Sequence, residues 1–110
     1  MENLGIYKFN KDFGRAGALS GVFVQSKDFV DKIIGCEVYF GEVLGKYSEV
    51  YGEIKSSDIL LVTENQEFVK MFQELGLSTG YNPFDYYLTN CEENEEDMTV
   101  EEIFNQRYIW

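Results

Sequence analysis

The chain reads as an α+β domain with a mostly antiparallel sheet of four or five strands, two main helices and a short C-terminal helix. Three observations predict this. Short β-branched and aromatic runs, such as LSGVFV at 19–24 and ILLV at 59–62, are bounded by turn residues. Two segments place apolar residues at helical spacing and stop at glycine. At 110 residues and 45% hydrophobic, with nine Phe and eight Tyr, the chain suffices for one core. A single domain over 1–110 is expected, with a solvated acidic loop near 90–98.

Leu4–Phe9 is a strand candidate with Tyr7 and Phe9 on one face. Asn10–Gly17, rich in Gly and charge, reads as a loop. Leu19–Val24 is the next strand, and Ser26 can cap the helix behind it. In that helix, over about 26–34, Phe29, Val30, Ile33 and Ile34 form one apolar face, and Gly35 stands where a left-handed C-cap belongs.

Cys36–Val43 and Glu49–Lys55 read as the arms of a hairpin around Leu44-Gly45-Lys46-Tyr47. Alternation sets Cys36, Val38, Phe40, Val50 and Ile54 on one face and Glu37, Tyr39, Glu49, Tyr51 and Glu53 on the other. After a turn at Ser56-Ser57-Asp58, the uniformly apolar Ile59–Val62 reads as a buried strand. Thr63–Gln66 fits a capping box for a helix over about 64–75, with Phe68, Val69, Phe72 and Leu75 on one face and a stop at Gly76. Thr99–Glu102 repeats the box, predicting a short helix to about Gln106. The strand–cap–helix–Gly order of 22–35 recurs at 60–76. A true repeat would put both helices on the same face of one mixed sheet.

Charge is lopsided. The net charge is −11; residues 36–110 hold sixteen Asp/Glu against four Lys/Arg, and 89–106 hold seven acidic residues and no basic one. Such a field repels nucleic acid and anionic membrane and attracts basic protein surfaces. The chain has no histidine, which removes the commonest general base. Cys36 and Cys91 lack metal-ligand spacing, and the run Glu92–Asp97 lacks the alternating ligands and glycine of a calcium loop. Gly14-Arg15-Ala16-Gly17 lacks the full spacing and ending of a phosphate loop. No catalytic residue, cofactor or metal is expected, and the chain reads as non-enzymatic. With no basic and apolar leader, no membrane-length apolar run and two cysteines, the expected setting is a reducing bacterial cytoplasm.

Two stretches suit contact with a partner. One is the acidic hairpin face: Glu37, Tyr39, Glu42, Glu49, Tyr51 and Glu53 interleave carboxylates with phenols, which fits docking against Arg and Lys. An ordinary wet sheet face gives the same alternation. Further acidic candidates follow in the run Glu92, Glu93, Glu95, Glu96 and Asp97. There, binding is expected to act through steering, whereas the hairpin holds its charges in place. The other stretch is GYNPFDYY at 80–87, where Tyr81, Phe84, Tyr86 and Tyr87 surround the only proline and either lid the core or meet a partner.

The stretches EVYFGEVLGKYSEVYGEI (37–54) and GYNPFDYY (80–87) resemble those of small uncharacterised bacterial and phage proteins. In size, acidity and lack of catalytic residues the chain is similar to phage DNA-mimic inhibitors of the anti-CRISPR and anti-restriction type. That likeness implies acidic side chains occupying the nucleic-acid channel of a basic host nuclease, with no direct binding to nucleic acid. An adaptor that uses the aromatic segment 81–87, acidic only for solubility, is the alternative.

Overall fold

A computed structural model describes residues 4–45, 49–89 and 97–107. The chain is α+β, with every strand pair antiparallel. In order it runs β1 (Leu4–Asp12), β2 (Ala18–Ser26), α1 (Lys27–Ile33), β3 (Glu37–Gly41), β4 (Val50–Glu53), β5 (Ile59–Thr63), α2 (Gln66–Glu74), β6 (Thr79–Gly80), β7 (Tyr87–Leu88) and α3 (Val100–Arg107). Instead of forming one sheet, the strands divide into a four-stranded sheet, β5-β1-β2-β6, and a three-stranded sheet, β4-β3-β7.

β1 and β2 form a long hairpin in register from Leu4↔Ser26 to Asp12↔Ala18, so the expected loop shrinks to 13–17. Within it the Asp12 carboxylate accepts the Gly14 N–H at 2.8 Å, which engages an amide that an anion would need. Ser26 caps α1 as its spacing predicts, its hydroxyl accepting from the Phe29 amide. Thr99 and Glu102 form the reciprocal box at α3: Glu102 Oε1 accepts the Thr99 N–H at 2.9 Å and Thr99 Oγ1 accepts the Glu102 N–H at 3.2 Å.

The box expected at Thr63 is displaced. Asn65 caps α2, accepting the Glu67 and Phe68 amides, while Thr63 Oγ1 accepts the Asn65 amide. Gln66, expected to reach back, instead donates to the Leu4 and Glu64 carbonyls. Its amide group is thus used as a donor to one distant and one local carbonyl, and not as the acceptor that a box requires.

The core lies between the two sheets. Tyr7, Phe9, Leu19 and Phe23 of the larger sheet meet Val38, Phe40, Val50 and Leu88 of the smaller, with α1 and α3 closing the ends. Phe9 stacks on Phe40 at 6.0 Å, and Phe104 meets Phe29 and Phe84 edge-on. α2 lies on the opposite side of β1, where Ile6 and Val69 are buried outside that cluster. The two helices therefore take opposite faces of the larger sheet, and its pairing is not mixed. The sequence repeat does not extend to the arrangement in space.

One strand departs from expectation. Ile59–Val62 reads as buried, yet β5 is an edge strand on which only Ile59 is buried; Leu60, Leu61 and Val62 are exposed. On α2 only Val69 is buried, while Phe68 and Leu75 face solvent. Uniform hydrophobicity signals a need for cover, and the described residues do not supply it there.

Candidate acidic and aromatic binding face

The smaller sheet buries one side and exposes the other, because β3 and β4 alternate. Val38, Phe40, Val50 and Ile54 turn into the core, as expected. A bulge at Phe40, between the pairs Tyr39↔Tyr51 and Gly41↔Val50, keeps that ring inward while the register shifts.

The outer side is ordered in rows by the register. Glu37 pairs with Glu53, and Tyr39 pairs with Tyr51 on one side and Tyr87 on the other. Three phenol rings from three strands thus cross the sheet in a line. A carboxylate row runs beside them and ends at Thr89, whose hydroxyl donates to Glu37 Oε1 at 2.7 Å and whose amide donates to the Glu37 carbonyl. Directly opposed like charges in a sheet are destabilising, so the Glu37–Glu53 pair is a cost that the fold itself does not require.

Tyr39 is the centre of this face. Its phenol donates to the Glu49 carboxylate; partial desolvation, then the charge and hydrogen bond of Glu49, then Glu42 push its pKa up. Desolvation disfavours the phenolate, and a neighbouring carboxylate repels it. Tyr51 and Tyr87 are exposed, at 57% and 40%. The arrangement offers acceptor oxygens and ring faces on a rigid support, the chemistry that suits a guanidinium or ammonium group.

The hairpin is tied to the larger sheet by Lys11. Its ammonium donates to the Glu53 carbonyl at 2.7 Å and pairs with Asp58 at 3.2 Å. Gly52 leaves room for it: a Cβ there would come within 2.9 Å of Lys11 Cε.

Neither a family model, a curated protein nor a solved structure matches this chain.

Beside the face lies a cleft of about 320 Å³ lined by Gly35, Cys36, Glu37, Glu53, Leu88 and Arg107. The Cys36 thiol is pushed up by burial, against a smaller downward pull from Arg107, and Sγ donates to the Lys32 carbonyl. Its protonated form is thus favoured, opposite to a reactive thiolate. Among the described residues no group of three or more His, Cys, Asp or Glu could hold a metal ion. No helix among them is long and apolar enough to cross a membrane.

The structure brings Glu37, Tyr39, Glu49, Tyr51 and Glu53 together, with Glu42 near enough to act on Tyr39. Asp97 is exposed, three positions before α3. Glu92, Glu93, Glu95, Glu96 and Cys91 lie outside the described residues, as do Lys46 and Tyr47 of the expected turn. In the aromatic segment, Phe84 is fully buried against Phe23, Phe29 and Phe104, so it cannot contact a partner. Tyr81 and Tyr86 are half-buried and pack on the core; only Tyr87 of the four is exposed. Asn82 explains this, since its side chain caps the 3₁₀ turn 83–85 that folds Phe84 inward. Sequence reasoning missed the place of Tyr87 in the tyrosine row, and also Arg107 beside the carboxylates. The alternation of Tyr87 with the buried Leu88 could have given the first.

Proposed function

We propose that this protein is a non-enzymatic acidic binding protein that occupies the nucleic-acid-binding surface of a basic nucleic-acid-handling protein, of nuclease or CRISPR-effector type, and excludes its substrate. The observation that supports the reading is the register of the outer sheet face, with Glu37 opposite Glu53 and Tyr39 between Tyr51 and Tyr87. Carboxylates held at strand spacing lose little entropy on meeting Arg or Lys, and exposed phenols add contact area. A groove that neutralises phosphates is chemically suited to carboxylates. The adaptor reading centred on 81–87 is weakened by the burial of Phe84.

The test is capture from a bacterial lysate on the wild-type chain and on a Glu49→Gln/Tyr51→Ala/Glu53→Gln variant, then a nuclease-inhibition assay on retained proteins. All three side chains are exposed, so the variant keeps its core. Basic nucleic-acid-handling proteins should be retained and inhibited by the wild type. The variant should release them at least ~10-fold faster, since loss of anchoring contacts acts mainly on dissociation. Recovery of only non-basic proteins without a nucleic-acid role would sink the reading.

A further inference from the structure

We infer that the β5 edge and the exposed stripe of α2 form an isologous interface with a second copy of this chain. On β5, Leu60, Leu61 and Val62 are 59%, 50% and 58% exposed. On α2, Phe68, Met71 and Leu75 are 59%, 53% and 63% exposed, and Leu77 follows at 48%. Such exposure of large apolar side chains clusters in this one stretch of chain; most other large apolar residues described are buried or half-buried.

The two elements adjoin. Only residues 64–65 separate them, and α2 packs on β1, the strand that β5 pairs with. Leu60 is opposite Lys8, which lies on the side of β1 that carries Ile6 and faces α2. Leu61 turns to the other side, over Gly5, where a Cβ would stand 3.1 Å from its Cδ1. The α2 sequence explains the stripe. Val69 meets the sheet, while Phe68, Met71 and Leu75 follow one another at i, i+3 and i+7 along a flank it does not bury.

The surface fits a second copy in three respects. The first is area: along α2 and on both sides of the β5 edge these seven side chains present on the order of 700 Å², close to the ~800 Å² that each partner contributes to a standard specific interface. A monomer rarely leaves that much apolar surface open. The second is charge. On a chain of net charge −11, residues 59–63 carry no charge at all, Asp58 beside them is already paired with Lys11, and α2 sets Lys70 against Glu67 and Glu74. Two like-charged copies can approach there at a lower electrostatic cost than on the acidic face. The third is self-complementarity. An antiparallel edge pairs with its own copy about a two-fold axis, which brings the same apolar faces together. This edge lacks the Lys or Pro that commonly blocks such pairing. The bulge at Val62 confines the regular ladder to 59–61, so side-chain burial is the larger part of the association.

Sedimentation equilibrium on the full chain from ~1 to ~100 µM tests this, with a dimer expected at a dissociation constant of about 10 µM or tighter. Raising salt should strengthen the dimer, because it screens repulsion between two acidic chains. Salt weakens docking of the acidic face on a basic partner, so failure of one idea is distinguishable from failure of the other. Leu61→Glu/Phe68→Glu should raise the dissociation constant on the order of 100-fold with an unchanged circular dichroism spectrum. If Leu61→Glu disturbs its contact with Gly5 and unfolds the chain, Leu75→Glu serves instead, its side chain being the most exposed of the stripe. Tyr51→Ala/Glu53→Gln should leave the dimer intact. A wild type that is monomeric at ~100 µM, or folded β5/α2 variants that dimerise undiminished, would overturn the inference.

Discussion

Lys11 and Asp58, 47 positions apart, meet at 3.2 Å with side chains only 11% and 14% exposed, so one ion pair joins the β1–β2 hairpin to the turn behind β4. The same ammonium donates to the Glu53 carbonyl and lies 5.6 Å from the centre of the Phe13 ring. The acidic face is thereby fixed to the larger sheet by a cation beneath it.

Lys11→Met should cost about 2–3 kcal/mol, since it strands a half-sheltered carboxylate and a backbone acceptor. Asp58→Asn alone should cost less, because Asn keeps an acceptor for the Lys55 amide. The double variant should cost less than the sum of the two, the signature of a direct pair. Urea unfolding of all three checks this; strict additivity would show that the pair carries no coupling.

Gly21 and Gly80 hold β2 against β6 at a separation that no side chain allows. A Cβ on Gly80 would lie 2.2 Å from the Ser20 carbonyl oxygen, and one on Gly21 would lie 2.2 Å from that of Tyr81. Gly80 also has φ +71°, so Ala there adds backbone strain. Either Gly→Ala change should cost at least about 2 kcal/mol and detach β6. Amide exchange at Tyr81, which donates to the Ser20 carbonyl at 2.9 Å, reads the detachment directly.

The fold was legible in its faces and in two of its caps. Ser26 and Thr99 stand where no better acceptor competes, and Val38, Phe40, Val50 and Ile54 alternate without ambiguity. The cap of α2 was not legible, because Thr63 and Asn65 are both competent and the choice rests on Gln66 reaching Leu4, 62 positions away. β5 misled for another reason: an apolar run shows that burial is wanted, not whether the same chain provides it. Of the binding face, the carboxylates and two of the three tyrosines followed from period two. Alternation with the buried Leu88 tells only that Tyr87 faces outward; its place beside Tyr39, like that of Arg107 beside the carboxylates, arrives through tertiary pairing.

Tyr39 should titrate above an ordinary phenol. Glu49→Gln should move it downward, since the change removes the carboxylate that repels the phenolate and accepts the phenol proton. Carbon-13 NMR of labelled tyrosines follows this residue by residue. An unmoved Tyr39 in the variant would remove Glu49 from the face.

Asp85 is pushed up by desolvation and, secondarily, by Glu101. The sign follows from linkage. A folded-state value above the unfolded one means that the native state holds its proton more tightly, so stability falls as pH rises through the folded value. The penalty is fully present at neutral pH and is relieved on acidification. Asp85→Asn should therefore stabilise the chain at pH 7 by up to about 1 kcal/mol, the scale of a solvent-screened pair. The gain should vanish once pH drops below the ordinary carboxylate range. Thermal melts of both chains across pH 3–8 decide it, and a gain independent of pH would refute the charge origin.

The segment from Ile59 to Gly80 begins on one edge of the four-stranded sheet, crosses its outer side as α2 and finishes on the opposite edge. It works as a belt whose buckle is the two-residue contact of Gly21 with Gly80 and Val22 with Thr79. Because one continuous segment supplies both borders of the sheet, detachment of β6 is expected to reach β5 through α2, by a route outside the hydrophobic core between the sheets.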